Sequence, residues 1–140
     1  MNPVKIDPVW LMHVQKPARY IGGEWNSIVK NHDSVDVKVA LAFPDVYEVA
    51  MSHLGLNSVI NSKSYALAER VYAPWIDMEK MMRERGIPLF SLENKCPIHD
   101  FDVLGFTMPY EMSYTNVLNM IDLAKIPVLS KDRSDNDPIV

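Results

Sequence analysis

Two short apolar runs, each ended by a proline, constrain the fold of this chain more than any other feature. Val37–Phe43 reads VKVALAF and stops at Pro44, and residues 102–108 read DVLGFTM and stop at Pro109. Runs this short and apolar predict strands that are buried on both faces of a sheet. Each is followed by a stretch with helical character, which favours parallel strands joined by right-handed crossovers. The sequence therefore predicts an α/β fold with a doubly wound, open parallel sheet of the Rossmann-like or flavodoxin-like kind.

The remaining elements follow from periodicity and from breaker residues. We predict helices over residues 46–65, 78–85 and 110–125, further strands over 70–73 and 88–91, and a strand beginning at 138–140. Asp77 is the expected N-cap of the second helix and Gly86 its stop. In the first helix we expect five apolar residues to face inward: Val49, Leu54, Leu56, Val59 and Ile60.

Residues 1–35 form an irregular N-terminal arm, and residues 36–140 form the α/β domain. The arm holds one short helix, with Asp7 as N-cap and Pro8 in its first turn, and a turn at Gly22-Gly23. A length of 140 residues suits one domain with its own core.

Composition excludes several function classes. The net charge is −4, and without a basic stripe nucleic acid is not a predicted partner. No apolar run approaches the ~20 residues that span a bilayer, so no membrane partner is predicted. With no signal-peptide pattern at its start, the chain is expected to be cytoplasmic. Cys96 is the only cysteine, so neither an internal disulfide nor a multi-cysteine cluster can form within the chain.

Open parallel sheets bind ligands beyond the carboxyl ends of their strands. Residues of this chain that fall there are Asp45, Tyr47, Thr107, Tyr110 and Tyr114, and His53 lies near the start of the helix after the first strand. The tyrosines suit stacking on a flat cofactor ring, or equally ordinary core and interface packing. The alternative for His53 is a structural role as a cap or packing residue.

Motifs for phosphate or corrinoid binding are missing from this edge. The segment after the first strand, PDVYEVAMSHLG, lacks the glycine-rich turn of a nucleotide site. His53 stands in MSHLGL, which does not match the D-x-H-x-x-G pattern of histidine-ligated cobalamin domains. No metal site is predicted.

Four long strings resemble a family of radical S-adenosylmethionine (SAM) proteins. They are KPARYIGGEWNSIVK (16–30), ALAFPDVYEVAMSHLGLNSV (40–59), ERVYAPWIDMEKMMRERGIPLFSLE (69–93) and DVLGFTMPYEMSYTNVLNMIDLAKIPV (102–128). The resemblance implies an N-terminal domain similar to cobalamin-binding domains, followed by a barrel whose C-x-x-x-C-x-x-C motif holds a [4Fe–4S] cluster and SAM. It also implies that the chain stops before that barrel and before the last strand of its own sheet.

Three functions are consistent with these observations. The first is a non-catalytic module that covers or positions the active site of the following barrel, its partner within a radical SAM enzyme. The second is a genuine corrinoid-binding module, with cobalamin at the strand ends. The third is a protein-interaction domain that presents Trp10, Tyr20 and Trp25 from the arm, against the alternative that the arm packs back on its own sheet.

Overall fold

The computed structural model describes residues 2–52 and 54–140 and contains a three-stranded parallel sheet. Its strands are β1 (Val37–Phe43), β2 (Ala66–Tyr72) and β3 (Val103–Phe106), in the order β2-β1-β3. Ile139 forms a parallel bridge with Val103, on the side of β3 away from β1. The predicted α/β fold with an open parallel sheet is confirmed.

Six α-helices occur in the described residues, several of them very short. They are α1 (Pro8–Leu11), α2 (Ala18–Ile21), α3 (Tyr47–Ala50), α4 (Gly55–Asn61), α5 (Ile76–Arg85) and α6 (Tyr114–Leu123). Asp7 caps α1 as predicted, since its carboxylate accepts the N–H of Val9 at 2.9 Å. Gly86 ends α5 as predicted, with a left-handed φ of 65° that glycine adopts without strain.

The single helix predicted over residues 46–65 is wrong. The segment forms α3 and α4, and β2 already begins at Ala66. Four of the apolar residues expected inside are 44–60% exposed: Val49, Leu54, Leu56 and Val59. Asn57 and Asn61 are buried instead, because Asn61 pairs with both backbone groups of Ala68 at 2.9 Å and so turns the polar side of α4 towards β2.

The strand predicted over residues 88–91 is also wrong. Phe90 makes only an isolated antiparallel bridge with Pro97, within a loop closed by a bond from Ser91 N–H to the carbonyl of Cys96. The loop folds back on itself, and the N–H of Leu92 donates to the carbonyl of Arg70 in β2. It therefore covers β2 without joining the sheet.

Smaller corrections concern helix starts. Helix α5 begins at Ile76, and Asp77 lies inside it, where one carboxylate oxygen accepts the N–H of Gln15 from the arm at 2.6 Å. The helix predicted over residues 110–125 opens with a 3-10 turn at Glu111–Ser113 before α6.

The core lies between the sheet and the helices, and the arm packs against the same domain. Leu67 and Leu104 are buried on the strands, and Met78 and Met120 on α5 and α6. Tyr20 of the arm is also buried, and its hydroxyl accepts the N–H of Trp75 at 3.0 Å.

Only part of the arm is free to meet a partner. Tyr20 is 7% exposed and Trp25 is 94% exposed, while the Trp10 ring lies under the guanidinium of Arg85 at 5.4 Å. Of the three aromatic residues considered for an interaction role, Trp25 alone is fully open. No helix in the described parts of the chain has the length and apolarity needed to cross a membrane.

Candidate functional site

Asp45 and Tyr110 meet at the carboxyl end of the sheet. The Tyr110 hydroxyl donates to Asp45 Oδ2 at 3.1 Å, and Asp45 Oδ1 accepts the N–H of Val46 at 2.7 Å. The hydrogen bond to Asp45 raises the pKa of Tyr110. Asn116 donates to the carbonyl of Pro44 at 2.9 Å and so ties α6 to the end of β1. Two strand ends that are 65 residues apart in the sequence are thereby fixed to each other.

Thr107 and Tyr114 lie on the same edge. The N–H of Thr107 donates to the carbonyl of Ala42 at 3.0 Å, which places Thr107 directly beyond β3. Tyr114 is 57% exposed at the start of α6. The structure therefore groups four predicted site residues at one edge: Asp45, Thr107, Tyr110 and Tyr114.

Tyr47 belongs to a different environment. Its hydroxyl donates to Glu24 of the arm, and its ring packs edge-on against Tyr72 with centroids 5.4 Å apart. The hydrogen bond to Glu24, together with burial, raises the pKa of Tyr47. Tyr47 thus helps to anchor the arm. The sixth predicted residue, His53, lies outside the described residues.

The sequence prediction missed a buried charge cluster behind this edge, formed by Glu24, Arg70 and Glu93. Arg70 Nε donates to Glu93 Oε1 at 2.6 Å, its backbone N–H donates to Glu93 Oε2 at 2.7 Å, and Arg70 Nη2 also pairs with Glu24. Burial lowers the pKa of Arg70, but the hydrogen bond to Glu24 and the charge of Glu93 outweigh it and raise that pKa. Burial raises the pKa of Glu93 despite the attraction of Arg70. The sequence did contain one sign of such a cluster: two adjacent charged residues, Glu69 and Arg70, lie inside the otherwise apolar strand β2.

The exposed face of this edge is rich in large apolar and aromatic side chains, with the charged Glu111 among them. Four of its side chains are 43–84% exposed, and we call them the edge surface: Met108, Tyr110, Met112 and Tyr114. Exposed methionines and aromatics that follow one another this closely in the chain are typical of surfaces that contact another protein. The edge surface can therefore pack against a partner while Asp45 holds the Tyr110 side chain and Asn116 ties α6 to Pro44.

The corrinoid hypothesis has little support from the shape of this region. Two cavities at the carboxyl end have volumes of about 20 and 40 Å³, and neither can enclose a corrin ring. A corrinoid would have to lie across the exposed edge surface. Cobalamin binding stays a prediction.

Comparison with known proteins gives one match. The family model described as "Radical SAM proteins, N-terminal" matches residues 53–140, which is more than half of the chain. The matched region contains β2, β3, α5, α6 and the whole edge surface. No curated protein and no solved structure matches the chain.

Proposed function

Because the chain belongs to the family of radical SAM protein N-terminal domains, we propose that it is a non-catalytic module that covers or positions the domain carrying the radical chemistry. The observation that carries this proposal is the edge surface. Met112 is 84% exposed and Tyr114 is 57% exposed, at the edge where open parallel sheets present their binding face. Burying such side chains against a partner is favourable by about 25 cal/mol per Å² of apolar area.

The cofactor chemistry itself has to be held elsewhere in the full-length protein. A [4Fe–4S] cluster needs several cysteine thiolates, and Cys96 is the only cysteine of this chain. Cys96 is 2% exposed, and burial raises the pKa of its thiol to about 11. Its burial makes Cys96 a packing residue of the core.

Hydrogen bonds within the chain hold the edge that we propose as a docking face. Tyr110 is fixed by Asp45, and the loop after it is closed by a hydrogen bond from the N–H of Ser113 to the carbonyl of Tyr110 at 3.1 Å. Ser113 is fully buried beneath the exposed Met112 and Tyr114. A pre-organised surface loses little conformational entropy when it is covered.

The test uses the full-length gene product, purified without oxygen. We expect iron–sulfur absorbance, and reductive cleavage of SAM that falls at least ten-fold in Met112→Asp. The matched control is Met12→Asp, which places the same charge at an 82% exposed methionine of the arm and should leave cleavage unchanged. A preparation without iron and sulfide, or equal effects of the two variants, would refute the proposal. Bound corrinoid in stoichiometric amount would favour the corrinoid hypothesis instead.

A further inference from the structure

A small cavity between the arm and the carboxyl end of β2 combines apolar walls with one cation. It has a volume of about 20 Å³, and its walls include the apolar residues Met82, Leu89 and Phe90. Arg19 supplies the positive charge, and no carboxylate is among the described residues that line it. Apolar walls with a few convergent polar groups are the usual composition of a ligand site.

The guanidinium of Arg19 is buried, oriented and incompletely paired. Its side chain is 9% exposed, Nε donates to Glu48 Oε2 at 2.8 Å, and its plane lies over the Trp75 ring at 5.2 Å. Nη1 is buried without a hydrogen-bond partner among the described residues. A buried unpaired donor of this kind is rare and costs about 1–3 kcal/mol, more when charged. An acceptor from outside the chain would satisfy this donor.

Two tyrosine hydroxyls in the cavity lining have protons to donate. Tyr20 uses its oxygen to accept the N–H of Trp75, so its proton remains available. The Tyr72 hydroxyl shares a hydrogen bond with the guanidinium of Arg70, and it is found donating to no residue in the described parts of the chain. Burial raises the pKa of Tyr20 and, although the bond to Arg70 acts to lower it, raises the pKa of Tyr72 to about 12, so both are protonated donors at neutral pH.

The fixed charges beside the cavity balance, so an anion would be held by the unpaired donor of Arg19. Lys16 and Arg19 share the carboxylate of Glu48, with both pairs at 2.8 Å. The carboxylate of Asp77, whose charge acts on Tyr20, offsets the remaining positive charge. The cavity has room for about one water-sized atom, which is the size of a single carboxylate oxygen. Admitting the rest of the ligand would require the buried Met82 side chain to change rotamer.

We propose that this cavity is a binding site for the carboxylate of a small apolar acid, with Arg19, Tyr20 and Tyr72 as its donors. A carboxylate oxygen would accept from the guanidinium, and the charge-assisted bond would supply most of the specificity. The alkyl part of the acid would contact the apolar wall. The site is independent of the edge surface and of the proposed docking function.

The test follows the Arg19 Nε–H signal of the isotope-labelled chain by NMR during titration with propionate, and with propionamide as the neutral analogue. We expect a saturable shift with propionate, half-complete on the order of 10 mM for a ligand of so few atoms, and no shift with propionamide. Absence of a saturable shift, or equal shifts with both compounds, would overturn the proposal.

Variants of the lining residues test whether propionate binds in this cavity. Arg19→Gln should weaken propionate binding at least ten-fold, followed through backbone amides of the cavity lining, and Tyr72→Phe several-fold without disturbing the Glu48 pairs. The control is Arg85→Gln, since Arg85 also lies over a tryptophan, Trp10, but does not line this cavity. Arg85→Gln should bind propionate as the wild type does. An equal loss in Arg85→Gln, or full binding by Tyr72→Phe, would contradict the assignment.

Discussion

Glu93 accepts two hydrogen bonds from Arg70: one carboxylate oxygen lies 2.6 Å from the guanidinium Nε and the other lies 2.7 Å from the backbone nitrogen. The Glu93 side chain is 3% exposed and that of Arg70 is 7% exposed. In Glu93→Gln, Glu24 remains as a carboxylate partner of Arg70, but it is 29% exposed. Because the buried guanidinium is then only partly compensated, we expect Glu93→Gln to lower the free energy of unfolding by about 2 kcal/mol, measured by urea denaturation.

The control for this variant is Glu79→Gln. Glu79 pairs with Arg83 at 3.0 Å on the surface of α5, where such a pair contributes less than about 1 kcal/mol. Similar losses in the two variants would show that the Arg70 cluster does not stabilise the fold.

Asn61 substitutes for a neighbouring strand at the outer edge of β2. Its amide donates to the carbonyl of Ala68 and accepts the N–H of the same residue, both at 2.9 Å. In Asn61→Leu the carbonyl of Ala68 keeps the Asn57 amide at 3.0 Å, but the buried N–H of Ala68 loses its partner. We therefore expect a loss of about 2 kcal/mol and faster hydrogen exchange at the Ala68 amide. Asn136→Leu in the exposed loop should change neither. Unaltered exchange at Ala68 in Asn61→Leu would refute this role.

Gly22 and Gly23 offer a matched test of how closely the arm approaches the loop after α5. Both have positive φ, 68° and 73°, but a Cβ on Gly22 would lie 2.5 Å from the carbonyl oxygen of Leu92, whereas one on Gly23 would meet nothing within 4 Å. We expect Gly23→Ala to cost about 1 kcal/mol from backbone strain. Gly22→Ala should cost about 3 kcal/mol, because its ψ of −154° lies in a region that only glycine readily adopts and a steric clash is added. Thermal unfolding measures both. Equal costs would mean that the arm does not lie against Leu92.

Glu48 makes stability depend on pH. Hydrogen bonds from Arg19 first and Lys16 second lower its pKa to about 2. A carboxylate whose pKa is depressed by folding stabilises the protein above its unfolded pKa, and that stabilisation is lost as the pH falls towards the folded value. The stability gap between the wild type and Glu48→Gln should therefore be present at pH 7 and shrink between about pH 4.5 and 2.

The size of this gap should stay below about 1 kcal/mol, because Glu48 is partly exposed and its pairs are screened by solvent. Urea denaturation at a series of pH values measures it. A gap that is constant or grows on acidification would contradict the role of Glu48.

Some of the fold was predictable because burial leaves a periodic or compositional trace. Val37–Phe43 was predicted with its observed ends, since a strand covered on both faces is apolar throughout. The prediction of one long helix after Pro44 was wrong for the converse reason. Asn57 and Asn61 are buried to satisfy Ala68, and a polar side chain with a backbone partner looks exposed in a sequence.

The residues of the candidate site also fall into a predictable group and a group that the sequence could not reveal. Asp45 and Tyr110 were predicted to be close because parallel strands end at one edge. The cluster at Arg70 was missed because its partners Glu24 and Glu93 lie 46 and 23 residues away, and no periodicity relates such positions.

The most direct test of the docking proposal compares hydrogen exchange in this 140-residue chain with exchange in the full-length gene product. We expect peptides that span residues 107–114 to exchange at least ten-fold more slowly in the full-length protein, because the edge surface is covered there. Peptides from the polar loop at residues 132–137 serve as the control and should be unchanged. Equal exchange of residues 107–114 in the two proteins would contradict the proposal that this edge contacts the catalytic domain.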